Sequence, residues 1–515
     1  MGLFRRMAAG LLLGAMLLTA GCAPAAAEDD TTIQIPVYNR GDPDWSLTNN
    51  YYTRWIGRKY GLPNDVRVEY TAVGQDTDFA DFLDRTANHA APDLLFTYDL
   101  NQALSLWDEG ALQPLDYEEL ARYAPTYYAG VQDLLERYGS ADGQTVFLFA
   151  RDDSLCSRRV TLIRRDWCEE TGTDLPTDND GLIRAAEAWR DAGLGTLGGS
   201  MPMRGFTFMC PWLTGDTSEE EIALYLDKSI APLTWEPTKR YLRDLNDKYN
   251  AGLLDESFFT CTTDADAIEA FVNGECGTCT LDLSSCTSVF RLLFAREPDA
   301  QVDVLPVLAG ADCLPASCEA EPFGLVMGIS AESTDAERRA VYGLLEWMSQ
   351  PENLTWLQHG VQDRSYTVDR DGVIWQDSNY SGSYELSPNQ NREYWCLVRE
   401  DVLCGTGAGT DALLSALVPN GWLDLMQRHY GYEQDQAAFR VTVPLFTRAV
   451  PARADHWREL FELWQQAFID CTTCPPDRFD EVYQSYCTQY LDSGYEEILQ
   501  QKQSLLDAGA VYTAD

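Results

Sequence analysis

The chain opens its ordered part with Thr32-Ile-Gln-Ile-Pro-Val-Tyr38, a short β-branched run that predicts a strand. From Trp45 to Tyr60 apolar residues recur at helical spacing, and Gly61 supplies the stop. Val66 to Val73 predicts a second strand, Phe79 to Ala90 a second helix, and Asp93 to Tyr98 a third strand. Strands that alternate with helices imply a parallel sheet with crossover helices. The same grammar returns further on. Arg159–Arg164, Cys276–Leu281, Gln301–Leu308 and Gly324–Ser330 predict strands, and Leu182–Ala192 and the stretch ending near Val272 predict helices. Ala336 to Gln358 is helical with a break near Pro351, and the last hundred residues are mostly helical. The pattern gives an α/β fold of two lobes with a helical C-terminal part.

The N-terminus has a different pattern. Two arginines, Arg5 and Arg6, precede an apolar run from Met7 to Leu18, which is followed by Thr19-Ala20-Gly21-Cys22. The run is about a dozen residues, against the roughly 20 that a spanning helix needs. It predicts a lipoprotein signal peptide over residues 1–21, with Cys22 as the lipidated first residue of the mature chain. Thr19 stands where Leu is usual in that motif. An ordinary secretory signal is the alternative, and both carry the chain out of the cytoplasm. Residues 22–30 are small and polar and predict a flexible tether. Two or three acyl chains on Cys22 would hold the body to the outer face of a membrane, where one chain is marginal.

Composition narrows the function classes. The 494 residues that follow the signal exceed one ordinary domain. A net charge of −43 repels nucleic acid and anionic lipid head groups, so nucleic-acid binding is excluded. Fourteen of the 15 cysteines follow Cys22, and outside the cytoplasm disulfides are permitted. Their pairing cannot be read from one sequence. Cys276-x-x-Cys279 and Cys471-x-x-Cys474 have the spacing of metal half-sites, but they are far apart and have no histidine at ligand spacing, so no metal is expected.

The catalytic and cofactor motifs fail on context. Gly193-Leu-Gly195-Thr-Leu-Gly198 matches a dinucleotide fingerprint, yet it follows a helix where the fingerprint must leave a strand. Asp178, Asp180, Gly181 and Glu187 fit part of a calcium loop, but Pro176 occupies its first ligand position, and a helix N-cap is the simpler reading. Arg40-Gly41-Asp42 is a short adhesion-like match that chance explains. The four histidines, His89, His359, His429 and His456, form no metal or triad pattern, and no GxSxG is present. With 81 carboxylates, no pair can be singled out for glycoside cleavage. No cofactor is expected. What remains is aromatic richness, 14 Trp and 26 Tyr, whose flat rings with polar tips suit sugar faces.

Several segments, in order, resemble the family 1 extracellular solute-binding lipoproteins of bacterial ABC importers. They are Ala91-Pro92-Asp93-Leu-Leu-Phe96, Glu109-Gly110-Ala111-Leu112-Gln113-Pro114-Leu115-Asp116, Asp142-Gly143-Gln144-Thr145-Val146-Phe147, Ile163-Arg-Arg165-Asp166-Trp167, Tyr249-Asn-Ala-Gly252-Leu253-Leu254-Asp255 and Phe271-Val-Asn-Gly274-Glu275-Cys276-Gly277. Departures are Ala150-Arg151 where Pro is usual, Cys276-Gly277 in place of a small residue and Met, and Asp363-Arg364 before Ser365-Tyr366. The resemblance implies a two-lobed periplasmic-binding-protein-like fold of the class II type. Residues 31–145 and 322–385 would form the first lobe, and 146–321 and 386–515 the second with its helical tail. It also implies a non-catalytic, monomeric receptor, which delivers a small-molecule solute to the transmembrane subunits of an ABC permease. An oligosaccharide is the expected solute.

In open sheets, ligands sit beyond the C-terminal ends of strands. Those ends supply the candidate ligand-binding residues Tyr38, Asn39, Arg40, Tyr98, Asp99, Asn101, Arg151, Asp152, Asp282 and Ser284, with Trp212 and Tyr366 added as loop aromatics. Each has a structural alternative: Asp99 can cap the next helix, Trp212 can be core, and Arg40 can pair with Asp42 or Asp44. A peptide or other polar solute, a surface-anchored glycosidase, and an adhesion or scaffold protein stay open on the residues alone.

Overall fold

The computed structural model describes residues 31–39, 46–74, 77–154, 157, 159–199, 210–319, 321–377, 392–405, 409–415 and 422–512. Signal, tether and Cys22 lie outside them. In chain order the first lobe begins with β1 (Thr31–Asn39), α1 (Tyr51–Ile56), β2 (Val66–Gly74), α2 (Asp78–Ala87), β3 (Leu94–Thr97), α3 (Leu100–Asp108), α4 (Tyr117–Tyr123) and α5 (Pro125–Tyr138). The hairpin β4 (Ser140–Ala141) and β5 (Gln144–Thr145) leads into β6 (Leu148–Arg151). Local sequence sets most of the boundaries. Asn50 caps α1 in a reciprocal capping box with Thr53, Asp99 caps α3, Asp116 caps α4, and Pro125 opens α5. The predicted helix Trp45–Tyr60 is realised as α1 followed by a π-helical turn, Gly57–Gly61.

The second lobe follows with β7 (Arg159–Arg164), α6 (Arg165–Thr171), α7 (Asn179–Ala192), α8 (Glu219–Tyr225), α9 (Glu236–Asn250), α10 (Asp264–Asn273), β8 (Thr278–Asp282), α11 (Cys286–Arg296), β9 (Val302–Leu305) and β10 (Ser317–Cys318). Asp178 caps α7 by accepting from the Gly181 amide at 2.6 Å, as its sequence context predicts. Gly193 ends α7 at φ 72°, a left-handed position that costs any other residue more. The glycine-rich stretch after it is a connector on the edge of β8, where the Gly198 amide donates to Thr278 Oγ1.

The chain then returns to the first lobe as β11 (Phe323–Ile329), α12 (Asp335–Ser349), α13 (Pro351–His359) and the hairpin β12 (Tyr366–Val368) and β13 (Ile374–Gln376). Pro351 starts α13, so the predicted break between the two helices is present. The tail is α14 (Thr410–Ser415), α15 (Leu423–Asp435), β14 (Arg440–Val441), α16 (Pro451–Thr473), α17 (Phe479–Tyr490) and α18 (Glu496–Asp507). Trp464, Phe468, Tyr483 and Tyr490 of that tail join Trp189, Leu233 and Leu242 in the second lobe's core. Asn246 of α9 donates to the carbonyls of Cys471 and Thr472, which docks α16 on α9.

The sheets correct the parallel expectation. β1 and β2 are parallel, and β3 lies beside β1, where the Asp93 amide donates to Gln34 O and Gln34 N donates to Asp93 Oδ2. β11 runs antiparallel to both β3 and β6. It enters the first lobe from the second, so it starts where β3 and β6 end and must run back. In the second lobe β7 is central, and β8 and β9 both run antiparallel to it. The β8–α11–β9 crossover steps over β7.

The first apolar core extends beyond the predicted lobe boundary. Val146 to Ala150 are fully buried in it, and β6 pairs with β11, so the chain leaves the first lobe after β6 and not at residue 145. Tyr394 to Val398, assigned by the sequence to the second lobe, also pack in the first core, and Tyr394 Oη donates to Leu47 O.

Candidate ligand-binding cleft

β3 and β6 end beside the start of β11, where chain segments cross between the lobes. The Arg151 amide donates to Val398 O, the Glu400 amide to Arg151 O, and the Asp152 amide to Pro322 O. Tyr38 and Tyr98, at the ends of β1 and β3, stack with ring centroids 6.2 Å apart and planes 26° off parallel. The guanidinium of Arg392 lies 6.0 Å from the centre of the Tyr98 ring. Tyr38 is buried and its hydroxyl donates to Asp78 on α2, so the ring is fixed from behind.

Asp99 begins α3, and protein groups engage both of its carboxylate oxygens. Oδ1 accepts from the Asn101 amide at 2.8 Å as the helix cap. Oδ2 accepts from Arg453 Nη2 at 2.6 Å and from Ser229 Oγ at 3.0 Å. Arg453, in the first turn of α16, also donates to Asp227 Oδ1 at 2.7 Å. Lys502 of α18 lies 3.7 Å from Asp227 and donates to Leu226 O. Lys228 donates to Tyr98 O at 3.2 Å and pairs with Glu321, and Arg392 pairs with Glu400. Gln102 of α3 donates to Ser229 Oγ. The contacts of Asp99 with Arg453 and Ser229, of Tyr98 O with Lys228, and of Gln102 with Ser229 join the first lobe to the second.

The charges shape one another. Burial pushes Asp99 up, but Arg453, Lys228 and its hydrogen bonds outweigh that and hold it below the usual carboxylate range. Burial raises Glu321, with Lys228 opposing. Burial lowers the Lys502 amine to about 8, although Asp227 favours its charged form. Among the described residues, Asn101 Oδ1 and Arg453 Nε are buried without a hydrogen-bond partner.

The cluster therefore gathers Tyr38, Tyr98, Asp99 and Asn101. Asn39 is exposed at the end of β1, and Arg40 lies outside the described residues. The other candidates stand elsewhere. Arg151 turns onto α5, where it donates to Gly130 O at 2.7 Å and pairs with Asp133. Asp152 closes a turn by accepting from the Ser154 amide. Asp282 ends β8 opposite Arg159 in the ladder, and Ser284 lies in the 3-10 turn that follows. Trp212 sits in the turn Cys210–Trp212 with its ring against Gly310 and 6.4 Å from Tyr241. Tyr366 is no loop aromatic: it is buried in β12 with its ring 5.7 Å from His359.

Sequence reasoning missed Asp227, Lys228, Glu321, Arg392, Glu400, Arg453 and Lys502. They come from separate segments, and Asp99 and Arg453 are 354 positions apart. The one available signal was an arginine in the first turn of a helix, where the dipole disfavours a cation. A separate cavity of about 180 Å³ lies within the second lobe, lined by Tyr241, Phe258, Phe468, Thr278 and Asp255 among others. It includes none of the residues at the strand ends of the first lobe.

A family model for bacterial extracellular solute-binding proteins matches residues 56–365. The chain belongs to that family. A search of curated proteins returned no match. Among solved structures, the alginate-binding protein AlgQ2 superposes with a TM-score of 0.67 at 17% identity, over 93% of this chain and 98% of that one. An HMO-binding, ABC-transporter-associated solute-binding protein of Bifidobacterium longum infantis gives 0.61 at 14%, over 93% and 99%. The S. pneumoniae substrate-binding protein FusA, in complex with kestose, gives 0.60 at 13%, over 93% and 99%. These likenesses establish the two-lobed fold of solute-binding proteins. Among the described residues, no helix is long and apolar enough to cross a membrane.

Proposed function

We propose that this solute-binding protein is a non-catalytic, lipid-anchored receptor that captures an oligosaccharide between its lobes and delivers it to an ABC permease. The observation that carries the sugar reading is the pair of stacked tyrosines, Tyr38 and Tyr98, beside buried polar atoms that lack partners. A tyrosine face takes the C–H face of a pyranose or furanose ring. Sugar hydroxyls both donate and accept, so they suit an acceptor such as Asn101 Oδ1 and a donor such as Arg453 Nε. The solved proteins of this fold named above bind alginate, HMO and kestose, which supports the same ligand class.

Ligand would close the lobes about the crossing segments by hinge motion. The lipid on Cys22 and the tether through residue 30 would keep the monomeric receptor near its permease and raise its effective concentration. Intact mass of the mature N-terminus tests the lipid: acyl chains on Cys22 support it, and a free thiol there removes it.

A thermal-shift screen of the mature domain over oligosaccharides, monosaccharides and peptides tests the ligand class. A ligand at 100 times its Kd stabilises the folded state by about 2.7 kcal/mol. A shift with an oligosaccharide, unchanged sugar after overnight incubation, and loss of the shift in Tyr98→Ala are expected. A shift with peptides alone would overturn the sugar reading, and cleavage of the sugar would overturn the receptor reading.

A further inference from the structure

The turn Cys210–Trp212 and the segment that ends in β10 run antiparallel beside each other. The Leu314 amide donates to Leu213 O at 2.8 Å and fixes their alignment. Three residues back from Leu213 and four forward from Leu314, the chain reaches Cys210 and Cys318. Their sulfur atoms lie 2.9 Å apart, within about 1 Å of the ~2.05 Å length of a disulfide bond. Both side chains belong to one apolar patch with Leu213, Leu226, Trp235 and Ala316. Cys210 is fully buried and Cys318 is half-buried. The family is extracellular, and outside the cytoplasm a disulfide persists.

We propose that Cys210 and Cys318 form a structural disulfide in the mature protein. The half-buried Cys318 is the sulfur that an external oxidant reaches. Its thiolate attacks a disulfide of the oxidant, an extracytoplasmic thiol–disulfide exchange partner, forms a mixed disulfide and expels one thiolate. Cys210 then gives its proton to water and attacks the Cys318 sulfur, which expels the second thiolate. Two thiols lose two electrons and two protons, and the oxidant's disulfide is reduced to two thiols. The buried Cys210 thiol is pushed up by its neighbour Cys318 and by burial, which makes it the slower, resolving sulfur.

The bond closes a loop across 108 positions of sequence. Long loops of this kind gain most from a cross-link. It also fixes β10 three residues before Glu321, the partner of Lys228 at the lobe crossing. The link would therefore hold one wall of the crossing while the lobes move.

Peptide mapping of the full mature chain tests the pairing. The protein is purified without reductant, treated with oxidised glutathione, and alkylated in denaturant before digestion. The expected result is one cross-linked species joining the Cys210 and Cys318 peptides, two hydrogens lighter than their sum and resolved by dithiothreitol. Cys210→Ser and Cys318→Ser should lower the thermal midpoint equally by several degrees, and the double variant should lower it no further. Cys313→Ser should leave the cross-link intact. Alkylation of both thiols in the oxidised protein, or Cys210 linked to Cys313, would overturn the proposal. If a serine variant fails to fold, the map of the unmodified chain decides the question alone.

Discussion

Replacing Arg453 with Met tests whether the buried charge cluster holds the lobes together. The methionine keeps most of the side-chain volume and removes the guanidinium. Asp99 and Asp227, which accept from Arg453 at 2.6 and 2.7 Å, would be left buried, each having lost its arginine. Breaking a buried pair from one side costs about 3–5 kcal/mol, because the remaining charge has no partner and no water. Lys228 and Lys502 remain near and soften the loss, which places the expected value near the lower end, about 3 kcal/mol. Asp99→Ala should cost less, about 1–2 kcal/mol: it removes a helix cap, but Arg453 keeps Asp227. Asp99→Asn should cost less again, since an amide oxygen still caps α3.

The pH dependence gives the second, sharper readout. In the native protein Asp99 titrates below the usual carboxylate range. A depressed folded pKa contributes stability that is present above the unfolded pKa, near ~3.9, and is lost as pH falls through the folded value. In Arg453→Met burial remains and the main opposing charge is gone, so Asp99 should move above its unfolded value. The contribution then changes sign: it is present below the unfolded pKa and lost as pH rises through the raised one. Urea unfolding followed by tryptophan fluorescence at pH 5 and pH 7.5 should show a smaller destabilisation at pH 5. A loss under about 1 kcal/mol at pH 7.5, or an equal loss at both pH values, would show that Arg453 does not hold these carboxylates charged in the folded protein.

Lys502→Met should be at least as stable as the native protein at pH 7.5. The native amine, lowered to about 8, binds fewer protons folded than unfolded between about pH 8 and 10, so native stability should rise there, and the rise should vanish in the variant. Gly310→Ala places a methyl against the Trp212 ring and should cost about 1–3 kcal/mol with a shift in tryptophan emission; an unchanged melt would show that Trp212 moves freely. Tyr98→Ala should weaken sugar binding at least tenfold in calorimetry while leaving the fold intact, and unchanged affinity would remove Tyr98 from the site. Sugar affinity should barely change between 50 and 500 mM NaCl, and a steep loss would indicate a charged ligand.

The elements that were legible in the sequence are those that local chemistry dictates. β1 and β2 carry β-branched, alternating residues, β3 is a short apolar run, Asp178 caps α7, and Pro351 separates α12 from α13. The direction of β11 was not legible, because it depends on where the chain re-enters the first lobe. Tyr366 followed the rule for an exposed aromatic until His359 and the β12–β13 hairpin covered it. Asp99 was read as a ligand residue because it ends a strand. The structure shows the competing use of the same position, a helix cap with an ion pair, and that use depends on an arginine 354 positions away. Tyr38 and Tyr98 came together because both obey one rule, the end of a strand, and β3 lies beside β1.

The same cluster bears on why a chain of net charge −43 would take a neutral ligand. At the crossing, four acids, Asp99, Asp227, Glu321 and Glu400, face four bases, Arg453, Lys502, Lys228 and Arg392. The excess of acid over base in the whole chain is therefore absent from this cluster. An anionic or cationic ligand could bind there only by taking a partner from one of these groups, and a buried charge left unpaired costs several kcal/mol. A polyhydroxylated ligand takes nothing from the pairs. Its hydroxyls would pair with Asn101 Oδ1 and Arg453 Nε, and its ring face would lie against Tyr98. The charge on the outside would then serve solubility, and selectivity would rest on the balance inside.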